Sequence, residues 1–352
     1  MAALGNRVTT TTQSKLLPKL VDTILNSNVL ATRVLSKASQ FNGERMKFPV
    51  KYAKNATGTS FAGFDSFATS ATDNRVNLQF VPKFYQMTVA LPLDELSANA
   101  TDEKVLDLAK LEMQSTAQDM ADDIGTLFYG DGTGNGSKDF LGLEAIVDDG
   151  TNAGTFGTLS RTTYTTLKST VTASSGTISL AKMSTLYNAA SSGAQTPTLG
   201  LTTEAIFALY EQLLQPQERI AKTVSMFSSQ GGNHSMGIPG GDFVGGTGFT
   251  GLYFKGFPIL ADEKCTSGVL YFVNENFLDW YALPMAQTTP ISFRSQDIQG
   301  NDYSAVTGLG FSWSDWIKPT NAAALVGHVY LGGELISANP KRHAKLTGIT
   351  TV

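Results

Sequence analysis

Two strictly alternating strands with a long amphipathic helix behind them constrain this chain more than anything else in its sequence. Residues 45–52 place Met46, Phe48, Val50 and Tyr52 on one face and Arg45, Lys47, Pro49 and Lys51 on the other. Residues 75–80 return the pattern, with Val76, Leu78 and Phe80 set against Arg75, Asn77 and Gln79. Between them runs a Ser/Thr/Gly/Ala-rich tip, residues 54–75, with no helical period. A two-stranded hairpin is marginal alone in water, so its apolar face must lie on something else. A monomer gains little from such an arm, whereas a subunit of an assembly can lay it across a neighbour.

The helix follows at 101–129. Thr101 is placed as its N-cap, with Asp102 and Glu103 in the first turn, where carboxylates complement the helix dipole. Leu106, Ala109, Met113, Ala117, Met120, Ile124, Leu127 and Phe128 recur at intervals of three and four and make one stripe. A rise of 1.5 Å per residue makes the helix roughly 40 Å long. The glycines at 130, 132, 134 and 136 stop it.

Elsewhere the elements are shorter. Leu17, Leu20, Val21, Ile24 and Leu25 put a helix in an N-terminal arm, residues 1–43, too short to enclose a core. Residues 141–147 read as a buried strand and 162–171 as a weak helix. A better helix runs from the Ser179 cap to Gly193, and another, capped by Thr203, carries Ile206, Leu209, Tyr210, Leu213 and Leu214 to Pro216. Residues 228–251 and 295–305 are polar loops. Strands are expected at 198–201, 252–260, 269–273, 278–283, 306–317 and 322–331. This order is α+β rather than a βαβ series.

Composition narrows function by exclusion. A chain of 352 residues can bury a sizeable core, and two to three domains are expected. Charged residues make up only 16%, few for a free monomer, as if partners cover much of the surface. A net charge of −4 argues against holding nucleic acid by the overall field. The single cysteine, Cys265, rules out an intrachain disulfide and suits a reducing compartment. The first residues lack a secretory-signal pattern, and no apolar run approaches the roughly 18 residues of a membrane span, so no membrane partner is expected.

Catalytic and metal motifs are poorly supplied. His234, His328 and His343 are scattered without a second ligand at metal spacing, and Cys265 has no local motif. The Gly246–Gly251 string matches Gly-x-Gly-x-x-Gly but leads into a strand-like run ending at Pro258, where dinucleotide binding needs a helix. Residues 131–136 start like a calcium loop, yet Gly142 stands where a bidentate Glu is required. We therefore expect no enzyme activity and no cofactor. One charged constellation stands out. Glu112, Asp119 and Asp123 fall within roughly 40° of one another on the long helix. They are either a solvated face or the counterpart of Arg45, Lys47, Lys51 and Lys54 on another subunit's arm, whose apolar side carries Phe48 and Val50. A basic cluster, Lys341, Arg342, His343 and Lys345, offers weak grounds for nucleic-acid contact.

The order of elements resembles the major capsid proteins of tailed bacteriophages with the HK97 fold. The arm at 44–92 is similar to their extended E-loop, and 101–129 to the spine helix of their peripheral domain. Residues 128–132 followed by 141–146, and 156–161, match the helix exit and the lead into the next helix. Residues 199–210, 254–262 and 268–274 resemble the axial domain. The resemblance implies an N-terminal arm (1–43), E-loop hairpin (44–92), peripheral domain (93–195), axial domain (196–300) and peripheral return (301–352). It further implies self-assembly as hexamers and pentamers into an icosahedral head around packaged double-stranded DNA, with procapsid expansion on maturation. Implied partners are a separate scaffolding protein, since only a short arm precedes the hairpin, a portal protein, a decoration protein as a further candidate, and DNA held non-specifically. The location implied is the virion, after assembly in the host bacterial cytoplasm. Some relatives join subunits by a Lys–Asn isopeptide bond. Lys51 and Lys54 lie in the arm, but no catalytic partner can be assigned, so no crosslink is expected. The competing readings are an encapsulin-type nanocompartment of the same fold and an enzyme of unrecognised class.

Overall fold

A computed structural model describes residues 28–35, 37–70, 72–98, 102–214, 251–283, 285, 289–290, 310–314 and 316–350. The expected arm helix at 17–25, the Thr101 cap, Pro216, His234, most of the 228–251 loop and the 295–305 loop lie outside these residues. In chain order the first half comprises α1 (Val29–Leu35), β1 (Ser39–Gln40), β2 (Met46–Lys51), β3 (Arg75–Phe80), β4 (Lys83–Pro92), α2 (Leu93–Ala98), α3 (Asp102–Tyr129) and α4 (Leu143–Ile146). Then come β5 (Thr155–Phe156), β6 (Leu159–Ser160), β7 (Thr170–Gly176), α5 (Leu180–Ala190), β8 (Leu199–Thr202) and α6 (Glu204–Leu214). The last stretch holds β9 (Gly251–Phe254), β10 (Phe257–Ala261), β11 (Leu270–Val273), β12 (Leu278–Ala282), β13 (Thr289–Pro290), β14 (Phe311–Trp313), β15 (Ala324–Ser337) and β16 (Ala344–Ile349).

Two sheets organise the chain. The first runs β1-β12-β15-β14-β13, with β4 also paired to β15. Against it packs the long helix, whose Met120, Ile124 and Phe128 are buried, while Leu127 is half-buried. Trp280 is the centre of this core, with Phe128 at 5.4 Å and Phe140 at 5.2 Å between ring centroids. The second sheet runs β7-β16-β11-β8-β10-β9. Its core gathers Phe254, Phe257 and Phe272 with Met183 and Leu186 of α5 and Ile206 and Tyr210 of α6. Both helices begin as the sequence requires: the Ser179 hydroxyl accepts the Lys182 amide at 3.3 Å, and the Thr203 carbonyl accepts the Phe207 amide.

The second sheet draws on segments far apart in the chain. β7, α5 and β16 belong to it, whereas β12 belongs to the first sheet. Pairing between β7 and β16, more than 160 residues apart, leaves no mark on local periodicity.

Four expectations are corrected. The hairpin ends at Phe80, because Pro82 has no amide to extend the ladder. Residues 83–92 instead pair with β15 over ten positions, from Lys83↔Gly333 to Pro92↔Ala324. Residues 143–146 form one helical turn, closed by Val147 N–H on Leu143 O, since so short an apolar run carries no period. The expected helix at 162–171 is a single 3-10 turn, Thr165–Leu167, before β7, in a stretch rich in β-branched Thr and Val. The expected strand at 252–260 is a hairpin, β9–β10, turning at Lys255 (φ 46°) and Gly256 (φ 94°) in the left-handed pair that tight hairpins require.

α1 is bolted to the segments that follow β10 and β11 and to the long helix. Asp262 accepts the Leu30 amide at 3.1 Å and the Tyr129 hydroxyl at 3.0 Å, and Arg33 grips Glu275 at 2.7 and 3.1 Å. Asn28 donates to the Ala121 carbonyl of α3 at 2.7 Å, beside Gly125, whose added Cβ would stand 2.5 Å from the Asn28 amide. Replacing Gly125 by Ala should therefore displace Asn28 and break its bond to Ala121. A loss of about 1–3 kcal/mol is expected in urea denaturation, despite the better helix propensity of Ala.

Candidate intersubunit surface

The hairpin β2–β3 keeps its expected alternation and register, Met46↔Phe80 through Lys51↔Arg75. Its apolar face is covered within the chain. Met46, Leu78 and Phe80 are buried, and Phe80 meets Phe156 at 5.2 Å. Phe48 and Val50 are half-buried against the chain's own core, with Phe48 5.2 Å from Tyr281. Tyr52 meets Tyr164 edge-on at 5.1 Å. The Gln79 amide donates to Gly157 O at 3.0 Å. Gly157 sits at φ 54°, where a Cβ would press on Leu78 and Phe80. Within the chain the small β5–β6 hairpin, in what reads as a Gly/Thr loop, covers the Leu78 and Phe80 end of this face, while Phe48 and Val50 keep part of their surface open.

Two other parts of the arm remain open. On the polar face, Arg45, Lys47, Lys51, Lys54 and Arg75 are exposed. Arg45 lies 3.5 Å from Glu44, which is still more exposed. At the tip, Phe61 and Phe67 are 65% and 63% exposed, Phe64 is fully so, and the rings of Phe61 and Phe67 touch edge-to-face at 5.1 Å. These three phenylalanines went unremarked in the sequence because the tip has no period. Their spacing of three in a stretch with Asp65 as its only nearby charge was the available signal.

On α3, Glu112, Asp119 and Asp123 are exposed. The Tyr85 hydroxyl donates to Asp123, and burial, then the Asp123 charge, pushes that phenol above its ordinary range, so it remains a donor. The neighbouring Asp122 is ion-paired with Lys264. Among the described residues, no ion pair joins the basic arm to the acidic helix within one chain. Intramolecular folding leaves the two sets of charges apart.

The basic 341–345 cluster is split: Lys341 is exposed and Arg342 half-buried, while the other two basic side chains turn inward. His343 is fully buried and Lys345 nearly so. Burial holds the His343 imidazole neutral, with its pKa down at about 3. Nδ1 accepts the Asn274 amide at 3.2 Å, leaving Nε2–H for Ser337 Oγ at 2.8 Å. Lys345 donates to Glu144 O at 3.3 Å and lies 3.9 Å from Asp148. Cys265 is buried too, its thiol pushed up by burial and by Asp262, the opposite of an activated nucleophile. Among the described residues no group of three or more His, Cys, Asp or Glu could hold a metal, and no helix is long and apolar enough to cross a membrane.

No protein-family model matches the sequence, and no curated protein matches it. Solved structures do. The capsid asymmetric unit of cyanophage A-1(L) superposes with a TM-score of 0.66 at 14% identity, covering 92% of this chain and 93% of that one. The holo-SrpI encapsulin complex of Synechococcus elongatus PCC 7942 gives 0.56 at 11% identity, covering 92% and 88%. The capsid of a native GTA particle gives 0.53 at 12% identity, covering 91% of each. The likeness thus extends over nearly the whole length of these chains. The chain has the HK97-type capsid fold.

Proposed function

We propose that the chain is the major capsid protein of a tailed phage, assembling as hexamers and pentamers into an icosahedral head around double-stranded DNA. The observation that carries this reading is the superposition on the cyanophage capsid subunit over 92% of the chain. The low content of charged residues and the open basic and aromatic parts of the arm support it from chemistry. The role is structural rather than enzymatic. A separate scaffolding protein would guide the precursor shell, and a portal would admit the DNA. The likeness to an encapsulin favours one alternative, a compartment that encloses protein cargo. Expression of the chain with and without its candidate scaffold, followed by electron microscopy, should give closed particles or capsomers. A compact monomer under all conditions would refute both shell readings. Nuclease-protected DNA in native particles selects the phage head, and its absence beside a cargo protein selects the compartment.

Within such a shell, the basic edge of one arm meets the acidic helix face of another copy. Each exposed pair contributes about 0–1 kcal/mol, so the effect accumulates over copies and weakens as salt screens it. Reversing Lys47 and Lys51 to Glu should reduce particle yield at low salt. Adding Glu112→Lys and Asp119→Lys should restore it. Sedimentation of the four combinations reads the result, and equal yields in all four would remove these residues from the interface.

A further inference from the structure

Where the arm rejoins the body, a carboxyl is buried among three elements. Glu334, on the central strand β15, is 3% exposed at its side chain, and its Oε1 accepts the Leu141 amide at 2.6 Å. Lys83, the first residue of β4 after the hairpin, stands 3.8 Å from its Oε2. The same ammonium donates to the Asp139 carbonyl and reaches Gly132 O at 3.5 Å. Residues 130–141 are the loop by which the long helix exits. One side-chain cluster thus ties the hairpin's exit strand to the helix's exit loop. Two residues further along β4, Tyr85 grips Asp123 of the helix itself.

We propose that Glu334 is a proton-operated latch: when protonated it holds the helix exit loop and the arm's root closed on β15, and when ionised it favours their opening to water. A neutral acid can stay in this site with its amide donor satisfied. A carboxylate there has one ammonium 3.8 Å away, beyond hydrogen-bonding reach, and little water. Burial outweighs the pull of Lys83 and of the Leu141 and Leu335 amides, and lifts the carboxyl to about 7. An open form that wets the group returns it towards the ordinary 4.5. Closed-state protonation is therefore stabilising below pH 4.5, and that advantage is lost as pH rises through 7. Lys83 approaches the carboxyl from β4, and Tyr281 is its partner across the ladder on β12; of the other titratable groups on the packed elements, Asp131 is bonded to Thr133, Asp139 to Asn135 and Tyr85 to Asp123. His328 and Tyr330 share its strand.

Hydrogen–deuterium exchange of the full-length chain, corrected for intrinsic rates, tests this at the 131–141 amides. Between pH 5.5 and 8.5 the opening equilibrium should rise about 30-fold, under a ceiling of about 300-fold set by the gap between the two pKa values. Glu334→Gln, which keeps shape and an amide-accepting oxygen, should abolish the rise. Lys83→Met, which removes the counter-charge, should make it steeper. A rise below about 3-fold in the natural chain, or a rise that Glu334→Gln retains, overturns the proposal. The natural chain alone decides the first point, so the proposal can be overturned even if Glu334→Gln does not fold.

Discussion

Replacing Phe61, Phe64 and Phe67 together by Ser is expected to abolish closed-particle formation while leaving the subunit's unfolding transition nearly unchanged. The three rings stand in solvent at the tip of the arm, so the isolated subunit gains almost nothing from them. Burying each ring against another copy would contribute about 1.5–3 kcal/mol before the cost of ordering the tip. No charge reversal on the basic edge approaches that sum. The described residues of the tip between 52 and 74 form no helix or strand, so it has few internal bonds to lose. Electron microscopy and sedimentation would score particles, and urea denaturation would score the fold. Particles at natural yield from the triple variant would remove the tip from the assembly contact. A large loss of subunit stability would show instead that the rings fold back onto their own chain.

The second large effect is on stability. Arg161 is fully buried, with its guanidinium 2.7 Å from Ala145 O, 3.0 Å from Ile146 O and 3.3 Å from Asp148, and 5.0 Å from the centre of the Phe156 ring. It caps the end of α4 and neutralises Asp148 at once. Arg161→Ala should therefore cost about 3–5 kcal/mol, the range for an ion stranded in the interior. The lower half of that range is expected, because Asp148 keeps the amides of Gly150, Asn152 and Ala153 at 2.8–3.2 Å and has Lys345 at 3.9 Å. Lys in place of Arg should recover only part of the loss, since an ammonium cannot reach two carbonyls and a carboxylate in one plane. A shift in urea midpoint equivalent to less than about 1 kcal/mol would show that Asp148 is satisfied without the guanidinium.

What could be read from the sequence follows from what is local. α3, α5 with its Ser179 cap, α6 and the strands β2 and β3 each carry their own period, and the structure has them in place. Partners are another matter. Phe48 alternates as well facing its own Tyr281 as it would facing a neighbour, so the pattern fixed the face but not its cover. Arg161 sits in an ordinary-looking Ser-Arg-Thr run, and its burial depends on Asp148 and on residues up to Lys345. Glu334 did leave a trace, as a lone acid inside the apolar run of residues 329–336. A single charge amid buried strand residues marks a place where something must answer it.

The order in which the two sheets are completed sets a schedule. β15 is the middle of one sheet and β16 lies inside the other, and both follow every other strand in the chain. A nascent polypeptide can therefore finish neither sheet until residues 324–349 have left the ribosome. Until then β4 and β7 lack the strands they pair with, and the arm's root lacks Glu334. Ribosome-stalled chains ending near residue 320 should be cut by protease throughout both sheets, whereas chains extended well past 350 should resist. The last two strands thus decide when both sheets close.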